Sequence, residues 1–206
     1  MMDGWRPTKI IGIGRNYVAH AKELGNEVPA WPLLFFKPPS ALLAPGDPIL
    51  LPAASARVEF EAEIGVVIGT RLRNVDEAAA ERGIRGYTCV NDVTARDLQK
   101  TDGQWARAKG FDTFCPVGPT IAEGLDWRSL ELTCRVNGKE MQRARATDMH
   151  FSIPYLISYI SGIMTLEPGD LIATGTPAGT APLKPGDVVE VEVSSVGVLS
   201  NPVGSM

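Results

Sequence analysis

The sequence is poor in several residue types that mark common protein classes. Its 206 residues include only three cysteines and two histidines, and 20 basic against 24 acidic residues give a formal net charge of -4. Three widely spaced cysteines predict neither a disulfide framework nor a zinc motif, and they favour a reducing compartment. The small negative charge argues against a nucleic-acid partner and against a basic membrane-binding surface.

Long apolar runs are missing as well. No stretch approaches the roughly 20 apolar residues of a membrane span. The first residues also lack the apolar segment of a signal peptide. We therefore expect a cytoplasmic protein without a membrane partner.

Turn-forming residues, in contrast, are plentiful. The chain has 21 glycines and 16 prolines, and they separate many short strand patterns at intervals of roughly 8–12 residues. Few segments have a helical pattern. The sequence predicts a β-rich α+β domain, rolled or closed into a barrel, that spans residues 1–206 with residues 1–8 as a short N-terminal segment.

One segment, Val58 to Gly69, combines two strand patterns. It begins as an alternation of apolar and acidic residues and ends as a continuous apolar run. Glu61 and Glu63 would share one face of the strand, about 7 Å apart. Two such carboxylates near a protein interior repel each other, and a divalent cation would compensate them. A solvated edge strand has the same pattern and remains an alternative.

Asp92 follows a predicted strand, Tyr87 to Val90. A carboxylate at a strand end is well placed for a functional site. The alternative is a helix cap, in which Asp92 would serve a helix that begins near Thr94.

A short helix is predicted from Tyr17 to Leu24, ended by Gly25. His20 and Glu23 are three residues apart and would be neighbours on its surface. Between Gly14 and Gly25, this helix could move as a lid over a site. The alternative is an ordinary surface pair.

Three further regions have recognisable patterns. Residues 130–142 predict a hairpin around Asn137-Gly138, Tyr155 to Met164 predict a helix, and Val188 to Val193 predict a final strand.

Residues 174–179 are predicted to form a tight loop with two threonine hydroxyls, which would hold a substrate carboxylate or simply make a turn. His150 is expected to be a helix-cap or packing residue.

The order of the motifs resembles the fumarylacetoacetate hydrolase family from about Lys9 to the C-terminus. Each motif is modest alone, and their order together is specific. The matching segments are Gly14-Arg15-Asn16-Tyr17 with His20 and Glu23, Leu34 to Pro38, Phe60 to Gly69, Asn91 to Asp97, Lys109 to Asp112, Phe151 to Pro154, Glu167 to Asp170 and Thr174 to Pro177.

The resemblance implies a roll of mixed β-sheet with a few short helices, and a homodimer. It also implies that Glu61, Glu63 and Asp92 hold Mg²⁺ or Mn²⁺. Glu59 lies outside this ligand set and is expected to be solvated. Because all-oxygen ligands suit both ions, the sequence does not choose between them.

The same comparison implies roles for residues outside the metal set. His20 and Glu23 would form a mobile catalytic dyad, and Lys109 would be the lysine of the substrate site. Three residues would lie near the substrate, and Lys37 lies in a matching motif without an assigned role. The three substrate-site residues are Arg15, Gln99 and Thr176.

The implied function is a divalent-metal-dependent enzyme that acts on 2-oxo or 1,3-dioxo acids through a metal-bound enolate. It would hydrolyse the C–C bond of acylpyruvates or decarboxylate oxaloacetate. An alternative is an isomerase of the 2-hydroxyhepta-2,4-diene-1,7-dioate type, from aromatic catabolism. A third possibility, of another class, is a catalytically silent metal-binding homologue, although a pure binder has no need of the His20/Glu23 pair.

Overall fold

The computed structural model describes residues 5–23, 25 and 27–205. These residues form fourteen strands, five α-helices and three short 3₁₀ turns. The strands are β1 Ile10–Gly14, β2 Leu33–Lys37, β3 Leu42–Leu43, β4 Ile49–Leu51, β5 Val58–Glu59, β6 Ala62–Ile68, β7 Ile84–Asn91, β8 Thr94–Ala95, β9 Cys115–Ala122, β10 Glu131–Val136, β11 Lys139–Arg145, β12 Leu171–Ala173, β13 Val188–Val193 and β14 Gly197–Ser205. The helices are α1 Val18–Glu23, α2 Glu77–Arg82, α3 Arg96–Thr101, α4 Ala106–Lys109 and α5 Ile153–Ile163, and the 3₁₀ turns are Pro39–Ala41, Trp127–Ser129 and Ala146–Asp148.

The larger sheet has seven strands in the order β2-β1-β12-β6-β7-β9-β3. It is mixed, because β1 with β12 and β3 with β9 are parallel while its other pairs are antiparallel. Strand β6 lies in the middle, and all seven of its residues are buried. A continuous apolar run predicts such a central strand, since both faces and both edges are covered.

The second sheet has five strands in the order β11-β10-β13-β14-β4. Strands β10 and β11 form the predicted hairpin, and both turn residues, Asn137 and Gly138, have positive φ. The prediction that Val188–Val193 is the final strand is wrong. Strand β14 follows it and pairs with both β13 and β4.

The two sheets share one apolar core. Ile64 and Val66 of β6 belong to the same buried cluster as Leu132, Val191 and Leu199 of the second sheet. The predicted class, a β-rich α+β roll of mixed sheet with a few short helices, is therefore confirmed.

The helices agree with the sequence patterns within a few residues. Helix α1 covers Val18–Glu23, whereas the prediction extended to Leu24, which lies outside the described residues. Helix α5 has Ser152 as its N-cap and Pro154 in its first turn. In the part of the chain that the structure describes, no helix is long and apolar enough to cross a membrane.

The acidic segment was predicted to be one strand, but in the structure it is not continuous. It is divided into β5, which pairs with β8, and β6, with Phe60 and Glu61 outside both. The N–H of Glu61 donates to Asn91 Oδ1, and its carbonyl accepts from the N–H of Asp92. These bonds hold Glu61 beside the end of β7 and bring two acidic segments together.

Candidate active site

The three carboxylates that the sequence assigns to a metal lie together. One oxygen each of Glu61, Glu63 and Asp92 falls within 4.8 Å of the others, and all three residues are buried. Glu61 lies in the break before β6, Glu63 is the second residue of β6, and Asp92 follows β7. Burial rules out the solvated edge strand as an account of Glu61 and Glu63.

The capping alternative for Asp92 is also wrong. The nearest helix, α3, begins at Arg96 with Ala95 as its N-cap. The carboxylate of Asp92 instead accepts hydrogen bonds from two buried ammonium groups, those of Lys37 and Lys109.

Basic side chains surround the carboxylate cluster. Lys109 Nζ lies 2.7 Å from Glu61 Oε2 and 2.5 Å from Asp92 Oδ2, and Lys37 Nζ lies 2.7 Å from Asp92 Oδ1. Arg96 Nη2 lies 2.5 Å from Glu61 Oε1. Sequence reasoning gave no role to Lys37 or Arg96, although both occur in motifs that it quoted.

Glu59 is not solvated, contrary to expectation. It is 1% exposed, and its carboxylate accepts from Arg57 Nε at 2.6 Å and from Arg96 Nε at 2.8 Å. These arginines hold the pKa of Glu59 below its usual value although burial opposes this. Glu59 therefore orients the guanidinium of Arg96, which in turn contacts Glu61.

The environments of Glu61 and Glu63 push their pKa values apart. Burial would raise the pKa of Glu61, but Lys109 and Arg96 outweigh it and hold that pKa well below its usual range. Burial raises the pKa of Glu63, and the charges of Asp92 and Glu61 raise it further. The hydrogen bond that the structure describes for the Glu63 carboxylate comes from the N–H of Gly175, which lies 2.8 Å from Glu63 Oε2.

This arrangement fits a divalent cation. The buried cluster has four carboxylates, Glu59, Glu61, Glu63 and Asp92, against three buried cations, Lys37, Arg96 and Lys109. The uncompensated carboxylate is Glu63, which faces two others. Converging carboxylate oxygens in this number are the donors that hard divalent ions prefer.

The predicted His20/Glu23 pair is formed. His20 Nδ1 lies 3.2 Å from Glu23 Oε2, and His20 is only 4% exposed. This burial argues against the alternative of an ordinary surface pair. The carboxylate of Glu23 also accepts from the N–H of Gly179 at 3.1 and 3.2 Å. The other histidine, His150, is exposed, packs its ring on Phe151 and lies outside the acidic cluster.

A cavity of about 540 Å³ borders several of these groups, although Asp92 does not line it. Glu61 and Glu63 line it together with all six residues for which the family resemblance implied catalysis or substrate contact. Those six residues are Arg15, His20, Glu23, Gln99, Lys109 and Thr176.

Several residues of this cavity were missed. Arg57 and Lys100 supply charge at its wall, and Phe35 and Trp105 supply an aromatic corner with ring centroids 5.4 Å apart. Lys109 Nζ lies 4.7 Å from the centre of the Phe35 ring. Periodicity could not indicate these residues, because they come from segments far apart in the chain.

The loop after β12 closes one side of the site. The Thr174 hydroxyl donates to the carbonyl of Ile64, and the N–H of Gly175 donates to Glu63. Gly175 has φ +103°, and a Cβ there would lie 2.7 Å from Asn16 Cβ. Only glycine fits this position without displacing Asn16, which lies just before α1.

Known proteins resemble this chain over nearly its full length. A mitochondrial oxaloacetate decarboxylase of Dictyostelium discoideum is 44% identical over 195 residues, 91% of this chain and 89% of that protein. A mitochondrial oxaloacetate tautomerase of Arabidopsis thaliana is 45% identical over 195 residues, covering 92% and 87%.

A solved structure, the 2-hydroxyhepta-2,4-diene-1,7-dioate isomerase of Mycobacterium marinum, superposes with a TM-score of 0.89 at 46% identity. It covers 97% of this chain and 75% of that one. Residues 9–204 also match the family described as fumarylacetoacetate (FAA) hydrolase C-terminal. The chain therefore belongs to the fumarylacetoacetate hydrolase family.

Proposed function

We propose that this protein is a divalent-metal-dependent enzyme that acts on 2-oxo or 1,3-dioxo acids, by acylpyruvate hydrolysis or oxaloacetate decarboxylation. The observation that carries the proposal is one cavity that is lined both by Glu61 and Glu63 of the buried carboxylate cluster and by the His20/Glu23 pair. The named activities of the Dictyostelium and Arabidopsis relatives support an oxo-acid substrate.

Glu61, Glu63 and Asp92 would hold the ion, which we propose to be Mg²⁺ or Mn²⁺. When bound, it would supply Lewis-acid stabilisation of negative charge that develops on the substrate. The protein contributes the fixed positions of the three carboxylates. Lys37 and Arg96 hold Asp92 and Glu61 by charge-assisted hydrogen bonds, so little reorganisation is needed.

His20 would act as the general base. In the neutral imidazole that donates Nδ1–H to Glu23, Nε2 would be able to take a proton from water or from a substrate C–H. Such a base typically contributes about 10²–10⁴-fold to the rate. The second contact of Glu23, to the N–H of Gly179, holds the dyad against the loop that carries Thr176.

Two positive side chains and one amide would bind and orient the anionic substrate. Lys109 lies at the cavity wall beside Glu61, and Arg15 and Gln99 face the same space. Arg15 has φ +59°, a strained conformation for a residue with a side chain, and such strain is typical of functional sites. Helix α1 would shield the reacting atoms from water.

The isomerase alternative uses the same residues. Hydrolysis needs a water placed for attack, decarboxylation releases CO₂, and isomerisation returns a proton to a different carbon. The Mycobacterium marinum structure carries the name of such an isomerase, which favours this second candidate. A catalytically silent metal-binding protein is the least favoured candidate, because such a protein would not need the buried His20/Glu23 pair.

A substrate panel tests the proposal. Purified protein is given oxaloacetate, acetylpyruvate and a hydroxymuconate-type diene, each with Mg²⁺, Mn²⁺ or EDTA. We expect turnover of at least one substrate with a metal and none with EDTA. No turnover of any substrate with either metal would refute the enzyme assignment.

The family resemblance further leads us to propose a cytoplasmic homodimer. Light scattering coupled to size exclusion should then give twice the chain mass of 22.1 kDa. A mass of one chain at micromolar concentration would contradict the dimer.

A further inference from the structure

Gln142, on strand β11, joins both halves of the site through one side-chain amide. It is 1% exposed. Its Oε1 accepts from the N–H of Ala62 at 3.1 Å, and its Nε2 donates to Thr176 Oγ1 at 2.8 Å and to the carbonyl of Pro177 at 2.7 Å. Ala62 lies between Glu61 and Glu63, so this amide ties the carboxylate segment to the loop of Thr176.

The orientation of this amide follows from its backbone partners. A backbone N–H can only donate and a carbonyl can only accept. Oε1 must therefore face Ala62, and Nε2 must face Pro177. The two hydrogens on Nε2 are then both used, one on the Pro177 carbonyl and one on the oxygen of Thr176.

This bond fixes the role of the Thr176 hydroxyl. Its oxygen accepts from Gln142, so its own hydrogen remains to be donated. Among the residues that the structure describes, no acceptor for that hydrogen is found. Thr176 lines the cavity together with His20, Lys109 and Glu63, so the hydroxyl can donate to a ligand in this space.

We propose that Gln142 is a positioning residue that makes Thr176 a hydrogen-bond donor to an anionic oxygen of the substrate. The inference rests on the proposed function, because it assigns the chemistry of one contact in that site. Thr176 thereby favours a carboxylate or an oxyanion and disfavours a ligand group that can only donate. Gln142 does not line the cavity, and it acts through Thr176.

The test uses oxalate, a planar dianion that resembles an enolised 2-oxo acid, in saturating Mg²⁺. Binding is followed by tryptophan fluorescence, since Trp105 lines the cavity, and no turnover is required. Five proteins are compared: the wild type, Gln142→Met, Thr176→Val, Thr176→Ser and the double variant of Gln142→Met with Thr176→Val. Melting temperature and Mg²⁺ affinity are recorded for each, so that a misfolded protein is recognised.

We expect Thr176→Val to weaken oxalate binding by roughly tenfold or more, which is the value of one hydrogen bond to a charged acceptor. Gln142→Met should weaken it by a similar factor in the wild type. In the Thr176→Val background it should have under about threefold further effect, because the two act as one unit. Thr176→Ser, which restores the hydroxyl, should bind oxalate at least about fivefold more tightly than Thr176→Val.

Two results would overturn the inference alone. They are an equal effect of Gln142→Met in both backgrounds, and unchanged oxalate binding by Thr176→Val. A wild type that binds Mg²⁺ but no oxalate would instead overturn the proposed function, and this inference with it. Should Gln142→Met fail to fold, the Thr176→Val and Thr176→Ser pair still decides whether the hydroxyl donates to the anion.

Discussion

At the scale of single residues, two glutamates four positions apart have opposite environments. Glu59 has two arginine partners, whereas Glu63 faces two carboxylates and a backbone N–H. Alternation along a strand gives both the same pattern. The difference comes from Arg96 and Asp92, which are distant in sequence.

The same substitution at these two positions should therefore have opposite effects. Glu63→Gln should weaken Mn²⁺ binding by roughly 100-fold, because it removes a proposed ligand. Loss of a residue that only supports a metal ligand typically costs about 10–100-fold, so this effect should reach or exceed the upper end of that range. The substitution should not lower the stability of the metal-free protein, because burial and neighbouring charge oppose ionised Glu63. Titration calorimetry and urea unfolding measure the two quantities.

Glu59→Gln is the matched control. It should retain Mn²⁺ affinity within about threefold but lower the free energy of unfolding by about 1–3 kcal/mol, since a buried charged acceptor of Arg96 is lost. Equal losses of metal affinity in the two variants would contradict the assignment of Glu63, and not Glu59, as a ligand.

The two histidines allow an equally direct comparison. His20→Ala should reduce turnover by about 10²–10⁴-fold with metal affinity unchanged, because in the proposed mechanism the dyad supplies the base and no metal ligand. His150→Ala, at an exposed position outside the cavity, should leave turnover unchanged. Loss of metal binding in His20→Ala would instead make His20 a ligand or a structural residue.

At the scale of elements, α1 is too short to be stable without its contacts to the rest of the protein. It has six residues, and helices shorter than about 12 residues are marginal in isolation. Its position depends on contacts such as that of Glu23 with Gly179. Strand β6, in contrast, is fully buried between two neighbouring strands.

Hydrogen exchange should reveal this difference. Amides of Val18–Glu23 should exchange at least about 100-fold faster than those of Ala62–Ile68. Oxalate with Mg²⁺ should slow the first set and leave the second unchanged. Glu23→Ala should speed exchange in α1, whereas Glu27→Ala, at an exposed loop position, should not. Uniform protection of both elements would exclude a mobile lid.

The elements also show which structural features could be predicted from the sequence. The apolar run of β6 and the Asn137-Gly138 turn depend on local residue types, so they were predictable. The break at Glu61 depends on Asn91 and Asp92, about thirty residues away, and no local pattern marks it. Strand β14 was missed because its glycines and Pro202 weaken the strand pattern, and it forms through pairing with β13 and β4.

At the scale of the whole molecule, the site combines groups from both sheets. Gln142 of β11 contacts Ala62, the first residue of β6, and the loop after β12 contacts Glu63. The ordered motifs indicated the proposed ligands and the His20/Glu23 pair, since these motifs resemble a known family. The supporting residues Gln142 and Glu59 were not distinguished, because a buried polar residue on a strand has the same alternation as an exposed one.

The three cysteine thiols of the core should report on unfolding of the whole molecule, and metal binding should protect them. Cys89, Cys115 and Cys134 are buried, and burial raises the pKa of each to about 12. Thiol reagents attack the thiolate. Native protein at pH 8 should therefore show no rapidly reacting thiol, and unfolded protein should show three.

The slow reaction of the native protein should then proceed through unfolding. In that case its rate rises with pH only until the unfolded thiols ionise, near pH 8.5, and then levels off. Direct attack on the folded protein would keep rising by about tenfold per pH unit towards pH 12. Because the proposed ion site exists only in the folded protein, Mg²⁺ at about 100 times its Kd should slow the reaction by about 100-fold. A rate that is indifferent to Mg²⁺ would show that the thiols become exposed without disrupting the carboxylate cluster.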